Sequence, residues 1–299
     1  MFTTLVAVVA ALVLGHVAPA PMASLRRFHW FERWLDWVGA HAGEGGFWQG
    51  RSGIWLALLP PVLLVLLLQV LLYGRLWGLL GLLFGVVVLV CAWGPRDLDI
   101  DVEAALDDSD PQTRRARLAL LAPEPGATVV EGHLLPGTLM RSALRRWFAP
   151  LFWFLLLGPT GAALYRLAER AALAGPARLP VENAAGARVL LHWLEWPVAQ
   201  LMTLALALAG NFDLVFRAWR AGGGDRWHAQ SGFLEAAGRA AVRGELAEEA
   251  EDYLREGQPV PVAVTGELVE LRDAMSLVWR MLLLWLALLA LLVIAGWVS

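Results

Sequence analysis

Long apolar runs alternate with charged stretches along this chain. Six runs are long enough to cross the roughly 30 Å of bilayer hydrocarbon as helices. They cover residues 2–20, 54–73, 76–93, 147–165, 190–212 and 281–298. The pattern predicts an all-α, polytopic membrane protein with five to six transmembrane helices and helical loops, and no stretch has the strict alternation that indicates strands.

The first run, residues 2–20, resembles both a signal peptide and a membrane helix. Signal peptides carry a positively charged region ahead of their apolar stretch. Here the first positive charge is Arg26, which follows the apolar stretch. We therefore expect an uncleaved membrane helix, which raises the expected number of spans from five to six.

Most arginines lie in three long connecting segments, 21–53, 94–146 and 213–273. These segments hold 18 arginines, against 4 in the connections on the opposite side. Because positively charged loops tend to remain in the cytoplasm, we expect all three segments to be cytoplasmic. We predict that the chain forms a single membrane domain over 1–299 and that the lipid bilayer surrounds it.

The connecting segments also carry helix signals. Asp110 followed by Pro111 is a typical N-cap and first helical residue, which predicts a helix over 111–122. The Pro- and Gly-rich stretch 123–136 predicts a loop, and the Gly222-Gly223-Gly224 run predicts a flexible joint. Residues 232–256 have apolar positions at helical spacing, which predicts one or two amphipathic helices.

The composition excludes several kinds of site. Hydrophobic residues make up 58% of the chain and charged residues 17%, and all 24 basic residues are arginines, so a lysine-containing phosphate loop and a Schiff-base lysine are excluded. The single cysteine, Cys91, cannot form an intrachain disulfide or a cysteine zinc cluster. The net charge of -3 gives no sign of nucleic-acid binding. We predict no cofactor, no metal ligands and no catalytic residues.

Two features interrupt the apolar runs: a pair of ionisable residues and a helix break. His192 and Glu195 are three residues apart, hence on one helical face, and ionisable groups at membrane depth usually have a function. The alternative is that they form the first turn of a helix at the membrane interface, where a carboxylate suits the positive end of the helix dipole.

The second feature is a break in the run 147–165. Gly158-Pro159-Thr160-Gly161 should interrupt the helix, and such breaks mark binding sites in transporters. Tyr165 and Arg166 follow directly. The alternative is a simple kink, with Arg166 extending to the interface.

Seven carboxylates lie between residues 97 and 110, in the second connecting segment. They could hold Mg²⁺ or Ca²⁺, although the stretch lacks the spacing of an EF-hand loop. A solvated face is the favoured interpretation.

Two segments carry a resemblance to a known family. The first is Arg145-Arg146-Trp147-Phe148-Ala149-Pro150-Leu151-Phe152-Trp153 with Gly158-Pro159-Thr160-Gly161-Ala162-Ala163-Leu164-Tyr165-Arg166. The second runs from His192-Trp193-Leu194-Glu195-Trp196-Pro197 to Leu208-Ala209-Gly210. Both resemble the AmpE family of inner-membrane proteins, which are linked to β-lactamase regulation and cell-wall recycling. The resemblance extends over essentially the whole chain and implies a multi-pass protein of the bacterial inner membrane.

The first segment is also similar to the CobD/CbiB family of cobalamin biosynthesis, a family of membrane enzymes. That family has Asn-Thr-Leu-Asp after the equivalent tyrosine, whereas Tyr165 is followed here by Arg166-Leu167-Ala168-Glu169. The segment Gly232-Phe233-Leu234-Glu235-Ala236-Ala237 resembles a further element, with Glu235 at the matching place. The missing motif puts the amide-forming activity in doubt.

The resemblances imply a membrane signalling modulator that acts through cytoplasmic loops in the β-lactam and cell-wall stress response, with a cytoplasmic or membrane protein as partner. The alternatives are a cobalamin-type enzyme and, less well supported, a small transporter. The candidate ligand-binding residues are Gly158, Pro159, Gly161, Tyr165, Arg166, His192, Glu195 and Glu235. The sequence does not define the oligomeric state.

Overall fold

The computed structural model describes residues 6–11, 28–43, 46–72, 78–94, 97–122, 132–226, 232–256 and 267–295. Within these ranges every regular element is helical, and no strand occurs. The prediction of an all-α membrane protein is confirmed. Of the first predicted span, 2–20, only residues 6–11 are described, and they are helical.

Twelve α-helices are described beyond residue 28. They are α1 (His29–His41), α2 (Ile54–Leu72), α3 (Leu79–Ala92), α4 (Leu98–Asp107), α5 (Pro111–Leu121), α6 (Leu135–Ala143), α7 (Ala149–Leu157), α8 (Pro159–Ala174), α9 (Val181–Ala209), α10 (Phe212–Ala221), α11 (Gly232–Arg255) and α12 (Glu267–Ile294). A π-helical turn, Leu144–Phe148, joins α6 to α7.

Three described helical segments are long and apolar enough to cross a membrane: Arg51–Leu72, Val181–Ala209 and Leu268–Leu291. The helix Leu79–Ala92 is apolar but shorter. The run 147–165 does not form one helix, because Gly158 separates α7 from α8.

The chain divides into two compact units. The first unit contains residues 1–97, 149–195 and 292–299, and the second contains 98–148 and 196–291. In the first unit, α8 packs against α7, α2 and α3. In the second, α11 packs against α6 and α10.

Within the first unit, α2 remains helical through two internal prolines, Pro60 and Pro61. Pro61 lacks an N–H, so the carbonyl of Ala57 one turn earlier loses its helical donor. The Trp34 indole Nε1–H of α1 donates to that carbonyl at 2.9 Å. A buried carbonyl left without a donor would be costly, so this bond stabilises the helix at the proline pair.

The predicted helix after Asp110 is confirmed as α5. Asp110 accepts a hydrogen bond from the Thr113 backbone N–H at 2.9 Å and another from the Thr113 hydroxyl at 2.6 Å. These bonds hold the pKa of the Asp110 carboxyl below its usual value, because they stabilise the ionised form. A local sequence signal was sufficient here, since the cap and its partner are three residues apart.

Two of the loop predictions need correction. Residues 123–131 lie outside the described part, but 132–134 form a short helical turn and α6 begins at Leu135, so the predicted loop 123–136 ends early. The Gly222–Gly224 run is a tight, hydrogen-bonded turn in which Gly224 donates to the Trp219 carbonyl. A Cβ at Gly224 would lie 2.1 Å from the Trp219 indole nitrogen, so this glycine allows close packing rather than a flexible joint.

Candidate functional site

The break between α7 and α8 is a polar junction inside apolar surroundings. Gly158 adopts φ +69°, a conformation that favours glycine, and Pro159 begins α8. Gln69 of α2 contacts both sides of the break. Its Oε1 accepts from the Thr160 backbone N–H at 3.0 Å and from the Thr160 hydroxyl at 2.7 Å, while its Nε2 donates to the Leu157 carbonyl at 3.3 Å.

Gln69 therefore satisfies backbone groups that the break releases. A helix start leaves N–H groups without helical acceptors, and a helix end leaves carbonyls without donors. The long amide side chain supplies one acceptor and one donor at the same point. The local sequence does not show that Gln69 contacts the Gly158 break, because Thr160 lies 91 residues further along the chain.

We expect Gln69→Leu to destabilise this junction by about 1–3 kcal/mol. The substitution replaces the amide by an apolar side chain of similar size, removes three hydrogen bonds and leaves the Thr160 N–H and the Leu157 carbonyl without this partner. Thermal unfolding in detergent measures the effect, and Gln69→Glu tests whether the acceptor alone is sufficient. A melting temperature equal to that of the wild type in Gln69→Leu would show that water replaces the amide.

Immediately after the break, α8 carries a buried charged pair. Arg166 is 1% exposed and Glu169 is 6% exposed. The Arg166 guanidinium forms a salt bridge with the Glu169 carboxylate, and its Nε donates to the Ala92 carbonyl at 2.6 Å. Ala92 is the last residue of α3, so the guanidinium lies at the negative end of that helix.

Arg166 therefore does not extend to the membrane interface, and this part of the simple-kink alternative is wrong. The reason is that Glu169, three residues along the same helix, neutralises its charge inside the protein. Tyr165, beside it, is also fully buried. The sequence contained a signal for this pairing in the spacing of Arg166 and Glu169, which places them on one helical face.

His192 and Glu195 both lie on α9, which begins at Val181. They are therefore more than two turns inside the helix, and the first-turn interpretation is wrong. The helix begins earlier because polar residues of its first turns find partners inside the protein, as when the buried Asn183 donates to the Trp48 carbonyl at 3.0 Å. His192 Nδ1 contacts the Arg188 carbonyl at 2.6 Å.

Glu195 is completely buried. The preceding residue, Leu194, accepts a hydrogen bond through its carbonyl from the Trp153 indole of α7 at 3.1 Å. This bond attaches the part of α9 that carries Glu195 to α7, the helix before the Gly158 break. The first unit thus contains seven of the eight candidate residues, from Gly158 to Glu195.

Glu235 belongs to the second unit. Its carboxylate forms a salt bridge with Arg141 of α6. The neighbouring Gly137 permits a close approach, since a Cβ there would lie 2.7 Å from the Arg239 guanidinium and 3.0 Å from the Glu235 backbone oxygen. Glu235 therefore lies against α6, held by an arginine.

The acidic stretch 97–110 is not simply a solvated face. Asp101 is buried and accepts from the Arg146 guanidinium at 2.7 Å. Arg146 lies in the π-helical turn and also donates to the Leu120 carbonyl at 2.7 Å. The favoured interpretation is wrong for Asp101 because burial of Arg146 requires a nearby carboxylate. Among the described residues, no group of three metal-ligand side chains comes together.

A family model described as "Regulatory signalling modulator protein AmpE" matches residues 27–234, a range that includes the broken helix and the Arg166–Glu169 pair. The chain belongs to the AmpE family. The resemblance to the AmpE family that the sequence showed is confirmed.

The chain is also similar to two proteins named cobalamin biosynthesis protein CobD. The protein from Stutzerimonas stutzeri is 31% identical over 286 residues, which cover 89% of this chain and 90% of the relative. The protein from Chromobacterium violaceum is 30% identical over 223 residues, which cover 70% of each chain. No solved structure matches this chain.

Proposed function

We propose that this AmpE-family protein is an inner-membrane signalling modulator in the response to β-lactams and cell-wall damage. The family match over residues 27–234 is the observation that carries the proposal. A signalling role requires a membrane-embedded part that can change conformation and a charged part that contacts a partner. In this proposal the break at Gly158 and the buried Glu195, both in the first unit, belong to the embedded part.

The contact surface in this proposal is the second half of α11. Its exposed side chains are mostly acidic, at Glu248, Glu249, Glu251 and Asp252, and they adjoin the exposed Leu254. Arg255, also exposed, pairs with Glu251 and Asp252, so the surface keeps a net negative charge. An acidic surface with an apolar edge suits a basic protein segment as its partner. Burial raises the pKa of the nearby Glu245 carboxyl, and the adjacent Arg280 guanidinium, 2.8 Å away, opposes that shift.

The proposal predicts that deletion of the gene changes β-lactamase induction and the minimum inhibitory concentration of β-lactams. Wild-type protein should restore both. Glu195→Gln should restore them only in part, because it removes a fully buried ionisable group. Reporter assays and inhibition tests measure these effects, with immunoblots of membrane fractions to establish equal protein levels.

Unchanged induction and tolerance in the deletion strain would exclude the regulatory role. Full rescue by Glu195→Gln would instead retain that role and exclude Glu195 from it. Replacement of Glu251 and Asp252 by alanine provides a separate test of the contact surface, since both are exposed and their loss should not affect folding.

The second candidate function is a membrane enzyme of the CobD type. The Stutzerimonas stutzeri relative favours it, because the similarity covers nearly the full length of both chains. The Arg166–Glu169 salt bridge is an argument against it. Resemblance places these two residues at the ends of the enzyme family's Asn-Thr-Leu-Asp motif, and here an arginine neutralises the carboxylate.

Complementation of a cobalamin-synthesis knockout distinguishes the two functions. Growth that depends on cobalamin, restored by this chain, would establish the enzyme. Failure to restore growth, with the protein present in the membrane, would leave the signalling role.

A further inference from the structure

Helix α10 in the second unit carries a row of stacked aromatic side chains. Phe212 and Phe216 have ring centroids 5.9 Å apart and nearly parallel planes, and Phe216 stacks on Trp219 at 5.2 Å. Phe212 is 51% exposed and Phe216 is 44% exposed. Contiguous exposed apolar patches are often contact sites for proteins or membranes.

The three faces of α10 have different chemistry. One face packs on α11, with Val215 fully buried and Leu214 close to Gly244. The opposite face is charged and exposed, and it consists of Asp213, Arg217 and Arg220. Since successive helical residues are 100° apart, the aromatic row lies between the packed face and the charged face. This arrangement is typical of a helix at a membrane interface.

The position of α10 relative to α9 supports the same conclusion. Only Gly210 and Asn211 separate it from the end of α9, a helix long and apolar enough to cross a membrane. The last turns of α9 expose Leu204 and Leu208. Phe212 therefore follows directly from a surface of the kind that contacts lipid.

Hydrogen bonds hold α10 against α9. The Trp219 indole N–H donates to Gln200 Oε1 at 2.8 Å, and Gln200 Nε2 donates to the Gly224 carbonyl at 2.8 Å. At its other end, Asn211 accepts from the Leu214 N–H at 3.2 Å and donates to Glu248 at 2.9 Å. Both ends are fixed, so the aromatic row stays beside the apolar part of α9.

A second copy of the chain is a poorer partner for this row. A fully buried aromatic side chain contributes about 150–250 Å², so three partly exposed ones offer roughly 300 Å². A stable protein interface needs about 800 Å² on each partner. The row is too small for that, and the two adjacent arginines match the phosphates of lipids.

We propose that Phe212, Phe216 and Trp219 form a membrane-interface row that contacts the headgroup–acyl boundary, with Arg217 and Arg220 on the phosphates of anionic phospholipids. The arginine side chains have apolar stems that can lie along the boundary while their guanidinium groups reach the headgroups. This inference does not depend on the signalling role.

Site-directed spin labelling tests the position of the row. Cys91→Ala removes the single native thiol, and cysteines at position 216 and, as a control on the charged face of the same helix, at position 213 receive the label. The full chain is reconstituted in phosphatidylcholine vesicles that contain phosphatidylglycerol. We expect oxygen, which partitions into lipid, to relax the label at 216 more than a water-soluble nickel complex does, and the reverse at 213.

Equal access of the nickel complex to both positions would overturn the proposal. Spin–spin broadening at 216, with protection from both relaxing agents, would show a second copy on the row and would overturn it too. Native melting behaviour of both labelled proteins shows that each variant is folded.

A titration of phosphatidylglycerol tests the arginines. We expect the anionic lipid to raise the melting temperature of the wild type, and Arg217→Gln with Arg220→Gln to lose most of that rise. Arg255→Gln, on α11, is the matched control and should keep it. An equal rise in all three proteins would overturn the assignment of the arginines to lipid phosphate.

Discussion

Replacement of Arg166 by methionine is expected to destabilise the protein by about 3–5 kcal/mol, the usual cost of removing one partner from a buried ion pair. Methionine fills much of the same volume, so the effect arises from charge rather than from a cavity. The substitution leaves the buried Glu169 carboxylate without its arginine and removes the donor to the Ala92 carbonyl. Thermal unfolding in detergent, followed by near-ultraviolet circular dichroism, measures the loss.

The matched control is Arg255→Met. Arg255 pairs with Glu251 and Asp252 on the exposed surface of α11, and pairs of this kind contribute about 0–1 kcal/mol. The double variant Arg166→Met with Glu169→Leu should recover part of the stability, because no charge then remains buried. An Arg166→Met protein as stable as Arg255→Met would contradict the role of the pair.

Gly161→Ala is expected to prevent the close packing of α7 on α8. A Cβ at Gly161 would lie 2.1 Å from the Trp153 carbonyl oxygen and 2.8 Å from the Leu157 Cβ. The nearer atom belongs to the backbone and cannot rotate away, so the two helices must separate. Overpacking of a core usually costs about 1–3 kcal/mol, and more where backbone blocks relaxation.

Fluorescence-detected size-exclusion chromatography of the membrane extract measures the yield of folded protein. Gly210→Ala is the control, because the nearest atom to its new Cβ is the Leu206 carbonyl oxygen at 3.5 Å, an ordinary contact. A Gly161→Ala protein with the yield and melting temperature of Gly210→Ala would show that the helices are not held this closely.

The sequence by itself determined the features that depend on neighbouring residues. The long apolar runs indicated the all-α membrane class, because a helix of about 20 residues spans the hydrocarbon and satisfies its own backbone groups there. The Asp110 cap fixed the start of α5, and Gly158 with Pro159 fixed the end of α7. For the cap and the break, the physical cause acts within about four residues.

The tertiary structure alone decided which distant groups pair. Gln69 and the Gly158 break are about 90 residues apart in sequence, as are Arg141 and Glu235. Asp101 was expected in water but lies against Arg146, 45 residues away. Periodicity indicates which face of a helix is apolar, but it does not indicate which helix covers that face. A buried charge is stable only beside its partner, so the positions of these groups follow from the packing of the helices.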